Sequence, residues 1–167
     1  MADFGGNAAA VLQGGAMEHP DGELIRIGEL ELQFFVTGKD TAGGLDMYEV
    51  MIPPGAGVPA PHYHVHVDEA IYVVEGSMEY TIDGHRREIG VGGRAFCPRG
   101  GVHHFKNLSH ERTRAIFAMT PALIGPSFFR EMGGLVNAGG PVDITRTRAL
   151  MARYGLFPAS EKHRIAD

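Results

Sequence analysis

The chain has 167 residues, 44% of them apolar and 21% charged, which is ordinary for one globular domain with a sizeable core. The formal charge is −5, and only Lys39, Lys106 and Lys162 are lysines, so no basic stripe exists to neutralise a run of phosphates and nucleic acid is excluded as a partner. Cys97 is the single cysteine, so an internal disulfide is excluded and a reducing compartment is expected.

Residues 1–22 are small, Gly-rich and without period, and are read as an N-terminal arm. Asp3 stands where a secretory leader needs positive charge, and Ala8 to Leu12 is too short for a leader core or a membrane span. The expectation is a cytoplasmic protein that does not engage a membrane. Leu24–Ile27 and Leu30–Val36 read as strands, Gly38 to Gly44 as a turn, and Leu45–Ile52 as a third strand. Pro53-Pro54-Gly55 ends it, because proline cannot donate to a ladder. Glu69 to Glu75 reads as a buried strand ending at Gly76. Ser77–Ile82 and His85–Ile89 face each other across Asp83-Gly84, a hairpin signal. After the turn Gly90 to Gly93, Arg94–Cys97, His103–Asn107 and Arg112–Thr120 complete about nine or ten short strands, the pattern of a closed sandwich or barrel. The barrel is placed over residues 23–121 and a helical tail over 122–167. In the tail, Ser127–Met132 before Gly133-Gly134 predicts one or two helical turns. Asp143 or Thr145 is expected to cap a second helix that stops at Gly155.

Two windows carry five of the nine histidines: Pro61-His62-Tyr63-His64-Val65-His66-Val67-Asp68-Glu69, and Pro98-Arg99-Gly100-Gly101-Val102-His103-His104-Phe105. His62 and His64 are two apart, so a strand presents both imidazoles on one face. Glu69 lies at an odd offset from them, and the chain must bulge or turn between Val65 and Asp68 for it to join. His66 is also in phase with His64, but it stands only three residues from Glu69. His104 is expected to face outward or to support the site indirectly, and Phe105 to face inward. His19, His85, His110 and His163 are isolated and read as surface residues. Cys97, between Phe96 and Pro98, reads as a small buried filler. Neutral imidazoles with one carboxylate suit a divalent transition metal, whether Fe, Mn, Ni, Co or Zn.

These windows resemble the two motifs of the cupins. Gly92, Pro98, Gly100, His103 and Asn107 match the spacing of the second motif throughout. His62, His64, Glu69 and Gly76 match the first, which departs only at Gly57, four residues before His62 where the pattern has five. The resemblance spans about residues 45–120. It implies an all-β fold, the double-stranded β-helix or jelly-roll barrel with a short helical C-terminal tail. It also implies one metal ion on His62, His64, Glu69 and His103, and a homodimer.

The run Glu69 to Gly76 and the tail segments around Phe128–Gly133 and Ala152–Leu156 are similar to single-domain bacterial cupins grouped with quercetin 2,3-dioxygenase. By that likeness the chain is a dioxygenase of a small hydroxylated aromatic or enol substrate, with O2 as co-substrate. Glu69 is then the general base, and Ile71, Val73 and Phe105 line the substrate pocket. Two other readings share the same ligands. One is a non-oxidative isomerase, lyase or decarboxylase; the other is a small-ligand-binding cupin without turnover.

Overall fold

The computed structural model describes residues 23–58 and 60–161, so the proposed arm over residues 1–22 lies outside the described residues. Among the described residues eleven strands form two antiparallel sheets. In chain order they are β1 (Leu24–Ile27), β2 (Leu30–Val36), β3 (Asp46–Ile52), β4 (His62–His64), β5 (Asp68–Glu75), β6 (Ser77–Ile82), β7 (His85–Gly90), β8 (Arg94–Cys97), β9 (His103–Lys106), β10 (Thr113–Thr120) and β11 (Leu156–Pro158). The first sheet runs β1-β2-β3-β10-β5-β8 and the second β11-β4-β9-β6-β7. This is the jelly-roll arrangement.

Period-two sequence makes these strands two-faced. Along β3, Asp46, Tyr48, Val50 and Ile52 are buried and the residues between them partly exposed; along β10, Thr113, Ala115, Phe117 and Met119 are buried. Those inward faces meet Met78, Tyr80 and Phe105 of the second sheet in one core. Phe117 links the layers, its ring centroid 5.6 Å from Tyr48 and 5.3 Å from Phe105. Burying a side chain of that size contributes roughly 2–3 kcal/mol. β5 is likewise two-faced: Glu69, Ile71 and Val73 point inward, while Tyr72 and Val74 are exposed.

The tail holds α1 (Gly125–Val136) and α2 (Ile144–Arg153). α1 passes through Gly133-Gly134, where a stop was expected. Gly133 is buried against β1, and a Cβ there would lie 2.6 Å from the carbonyl oxygen of Arg26. A glycine in this helix therefore marks close backbone approach and not an end. Asn137 completes the join, donating from Nδ2 to Arg26 O at 2.8 Å and accepting from Gly28 N at 2.9 Å. Asp143 rather than Thr145 caps α2, accepting from Arg146 N at 3.0 Å. The tail is not wholly helical, because β11 follows Gly155 and pairs antiparallel with β4. Among the described residues no helix is long and apolar enough to cross a membrane.

Candidate metal centre

β4 lies between β11 and β9, and His62 pairs directly with His103 at the start of β9. As the period of two requires, His62 and His64 face the same way, their ring centroids 5.2 Å apart. The chain then bends at Val65-His66 and enters the first sheet as β5. Glu69 thus reaches the histidines by a change of sheet, and its odd offset along the sequence ceases to matter. Ring nitrogens of His62, His64 and His103 all lie within 4.8 Å of one another, a cluster suited to binding a metal ion. Oε1 of Glu69 stands 3.6 Å from Nε2 of His103, and both side chains are almost wholly buried.

The turn between β8 and β9 locks the two ligand segments together. Gly100 N donates to His64 O at 2.7 Å. Arg99 grips Asp68, its backbone N donating to Oδ1 at 2.7 Å and Nη2 to Oδ2 at 2.7 Å. Asn107, fully buried, donates from Nδ2 to Ile52 O at 2.9 Å and to Glu111 O at 2.7 Å. The motif asparagine, just past β9, therefore ties that point to the end of β3 and to the loop before β10, which explains its place in the spacing. Gly57, one position out of register with the motif, still approaches β9 so closely that a Cβ would meet Phe105 O at 2.3 Å.

Nδ1 of His103 lies 3.0 Å from Gly101 O and 3.2 Å from Cys97 Sγ. A carbonyl only accepts, so Nδ1 carries hydrogen and Nε2 faces the cluster. That nitrogen has the Glu69 carboxylate 3.6 Å away, whereas neither buried ring nitrogen of His64 has a hydrogen-bond partner. Leaving buried polar atoms unpartnered costs about 1–3 kcal/mol each, and a metal ion on these lone pairs removes that cost. The residues fit the group.

Electrostatics divide the imidazoles. Burial, with the neighbouring His103 and His64, pushes His62 down to about 3. Burial likewise pushes His64 down to about 4, against the pull of Glu69. Burial would lower His103 too, but the Glu69 carboxylate overrides it and holds His103 well above the usual imidazole range. Burial alone would raise Glu69, and the His103 charge brings it down. Without metal, two imidazoles are bare ligands and the third is ion-paired to Glu69.

Ile71, Val73 and Phe105 are all buried in the core. His66, His85 and His110 are exposed, His104 is partly buried opposite Thr81 of β6, and His19 and His163 lie outside the described residues. Two neighbours of the site escaped sequence reasoning. Cys97, taken as filler, contacts His103 because β8 pairs with β5 at Glu69. Tyr80 of β6 donates its hydroxyl to Glu69 Oε1 at 3.2 Å. Its inward phase with Met78 was legible; its partner on the opposite sheet was not.

Two antiparallel sheets carrying an imidazole cluster suited to a metal ion define a β-barrel with a candidate metal site. Residues 48–119 of the chain match the family model described as a cupin domain. It is 30% identical over 92 residues to a protein of Streptomyces cyaneus called polyketide synthase CurC, covering 55% of this chain and 58% of that one. It is 33% identical over 98 residues to quercetin 2,3-dioxygenase of Bacillus subtilis, covering 58% of this chain and 28% of that one. The chain therefore matches less than two thirds of either relative's length. A solved structure from Thermotoga maritima, described as a predicted oxalate decarboxylase, superposes with a TM-score of 0.56 at 19% identity, over 61% of this chain and 94% of that one. At that identity the likeness concerns the fold.

Proposed function

We propose that this protein is a metal-dependent dioxygenase of a small hydroxylated aromatic or enol substrate, with His62, His64, His103 and Glu69 holding one divalent transition-metal ion. The observation that carries the reading is a buried carboxylate set beside three clustered imidazoles. The likeness to quercetin 2,3-dioxygenase supports the choice of reaction. When bound, the ion supplies Lewis acidity and a template for substrate and O2.

The chain's own residues do the rest. His62 and His64, neutral at physiological pH, offer lone pairs without first losing a proton. The Glu69 carboxylate is the general base: one of its oxygens takes the proton of the substrate hydroxyl, leaving the oxyanion that reacts. Among the described residues no lysine or arginine is bonded to Glu69; its ionic partner without metal is His103. Ile71, Val73 and Phe105 form the apolar wall that excludes water from it.

The test is turnover of a panel of hydroxylated aromatics and enols by metal-loaded protein under 18O2. Both label atoms are expected in the products, and removing O2 is expected to stop the reaction. Turnover that proceeds unchanged without O2 sinks the oxygenase reading and selects a non-oxidative reaction at the same residues.

A further inference from the structure

Glu69 and Tyr80 come from opposite sheets, β5 in the first and β6 in the second. Their side chains meet in the barrel interior, with both residues only 3% exposed. The hydroxyl of Tyr80 donates to Oε1, the same carboxylate oxygen that stands 3.6 Å from Nε2 of His103. The register makes this placement rigid. β6 pairs with β9 so that Tyr80 faces Phe105 and Ile82 faces His103, two residues along the same ladder. Tyr80 and His103 therefore rise from neighbouring strands of one sheet and converge on one oxygen of the other.

From this geometry we infer that Tyr80 is a positioning residue that holds Glu69 back from the three imidazoles, so that the carboxylate stays a loosely engaged base and does not become a tight fourth ligand. The inference rests on the reading of His62, His64, His103 and Glu69 as a metal site. The physical reason is competition for lone pairs. A carboxylate oxygen that accepts a hydrogen bond is a poorer donor to a cation, and the bond also restricts how the group can turn. Without the hydroxyl, the carboxylate gains both donor strength and freedom. The phenol ring of Tyr80 packs in the core by itself, so Tyr80→Phe removes the hydroxyl and keeps the shape.

Cobalt(II) is the probe, because its visible absorption reports the ligand set directly and needs no substrate. Tyr80→Phe is expected to bind cobalt(II) on the order of tenfold more tightly, the factor that matches a hydrogen bond to a charged group. Its absorption band is expected to shift and weaken as the carboxylate engages more fully. Because Tyr80 acts through Glu69, the change should vanish when Tyr80→Phe is made in a Glu69→Gln background. A Tyr80→Phe protein with unchanged or weaker cobalt affinity and the unaltered spectrum overturns the inference, even if its thermal midpoint falls. So does a spectral change that persists in the Glu69→Gln background. If the unaltered chain binds no cobalt(II), the metal-site reading itself fails, and this inference falls with it.

Discussion

His64 carries both ring nitrogens into the interior and gives neither a hydrogen bond. His62 beside it is held neutral by burial and by the neighbouring His103 and His64. The stability consequence follows from the sign of these shifts. Both folded-state values, about 3 and about 4, lie below the unfolded imidazole value near 6.5. The metal-free fold therefore has its full advantage above about 6.5 and loses it as pH falls towards those values. His103 works the other way and offsets part of this slope between pH 7 and about 6. Its folded value is raised, so its contribution is fully present well below about 6.5 and is lost progressively as pH rises through and above that value. Metal-free protein is expected to lose about 1–2 kcal/mol of urea-unfolding stability between pH 7 and pH 5.5, given roughly 1.4 kcal/mol per proton per pH unit at most. A flat profile over that interval would show that His62 and His64 are not held neutral by the fold.

β4 is three residues long and meets β9 at one residue pair, so a strand this short cannot fix two ligands alone. β11 supplies the other edge, pairing Leu156 with His64 and Pro158 with His62. Leu156 is buried in the core. Leu156→Ala is expected to cost about 2–5 kcal/mol of stability, as does the equally buried Leu150→Ala on α2. Only Leu156→Ala loosens the strand that carries the ligands, so it alone should weaken metal affinity beyond what destabilisation explains. Comparable metal affinities in the two variants, measured by titration, would deny β11 this role. At this scale the sequence was informative where signals are local. Asp83-Gly84 marked the hairpin, Asp143 or Thr145 the cap, and Pro53 the end of β3. It misled at Gly133, where the signal for a helix stop and the signal for close packing are the same residue. It was silent on β11, because three residues ending in proline carry no period.

For the whole molecule, the proposed ligands arise from β4, β5 and β9, spread over both sheets, so an ion bound to them would tie the layers together. A ligand that binds only the folded state stabilises it by about 2.7 kcal/mol at a hundred times its Kd. For a chain of this size that is a rise of roughly 5–10 °C in Tm. Chelation is expected to lower the thermal midpoint by such an amount and re-addition of metal to restore it, while His103→Ala should stay folded and show no metal-dependent rise. An equal rise in that variant would remove His103 from the site. The sequence by itself determined which side chains are fit to bind and which share a strand face, since His62 with His64 and the motif around His103 depend only on neighbours along the chain. Tertiary structure alone decided that Glu69 crosses to the other sheet to meet them. It also brought Tyr80 and Cys97 into contact with the site and placed β11 at the edge of the ligand strand. The reason is physical: a period of two fixes the face a residue presents, whereas which strand lies opposite is set by packing between segments far apart in the chain.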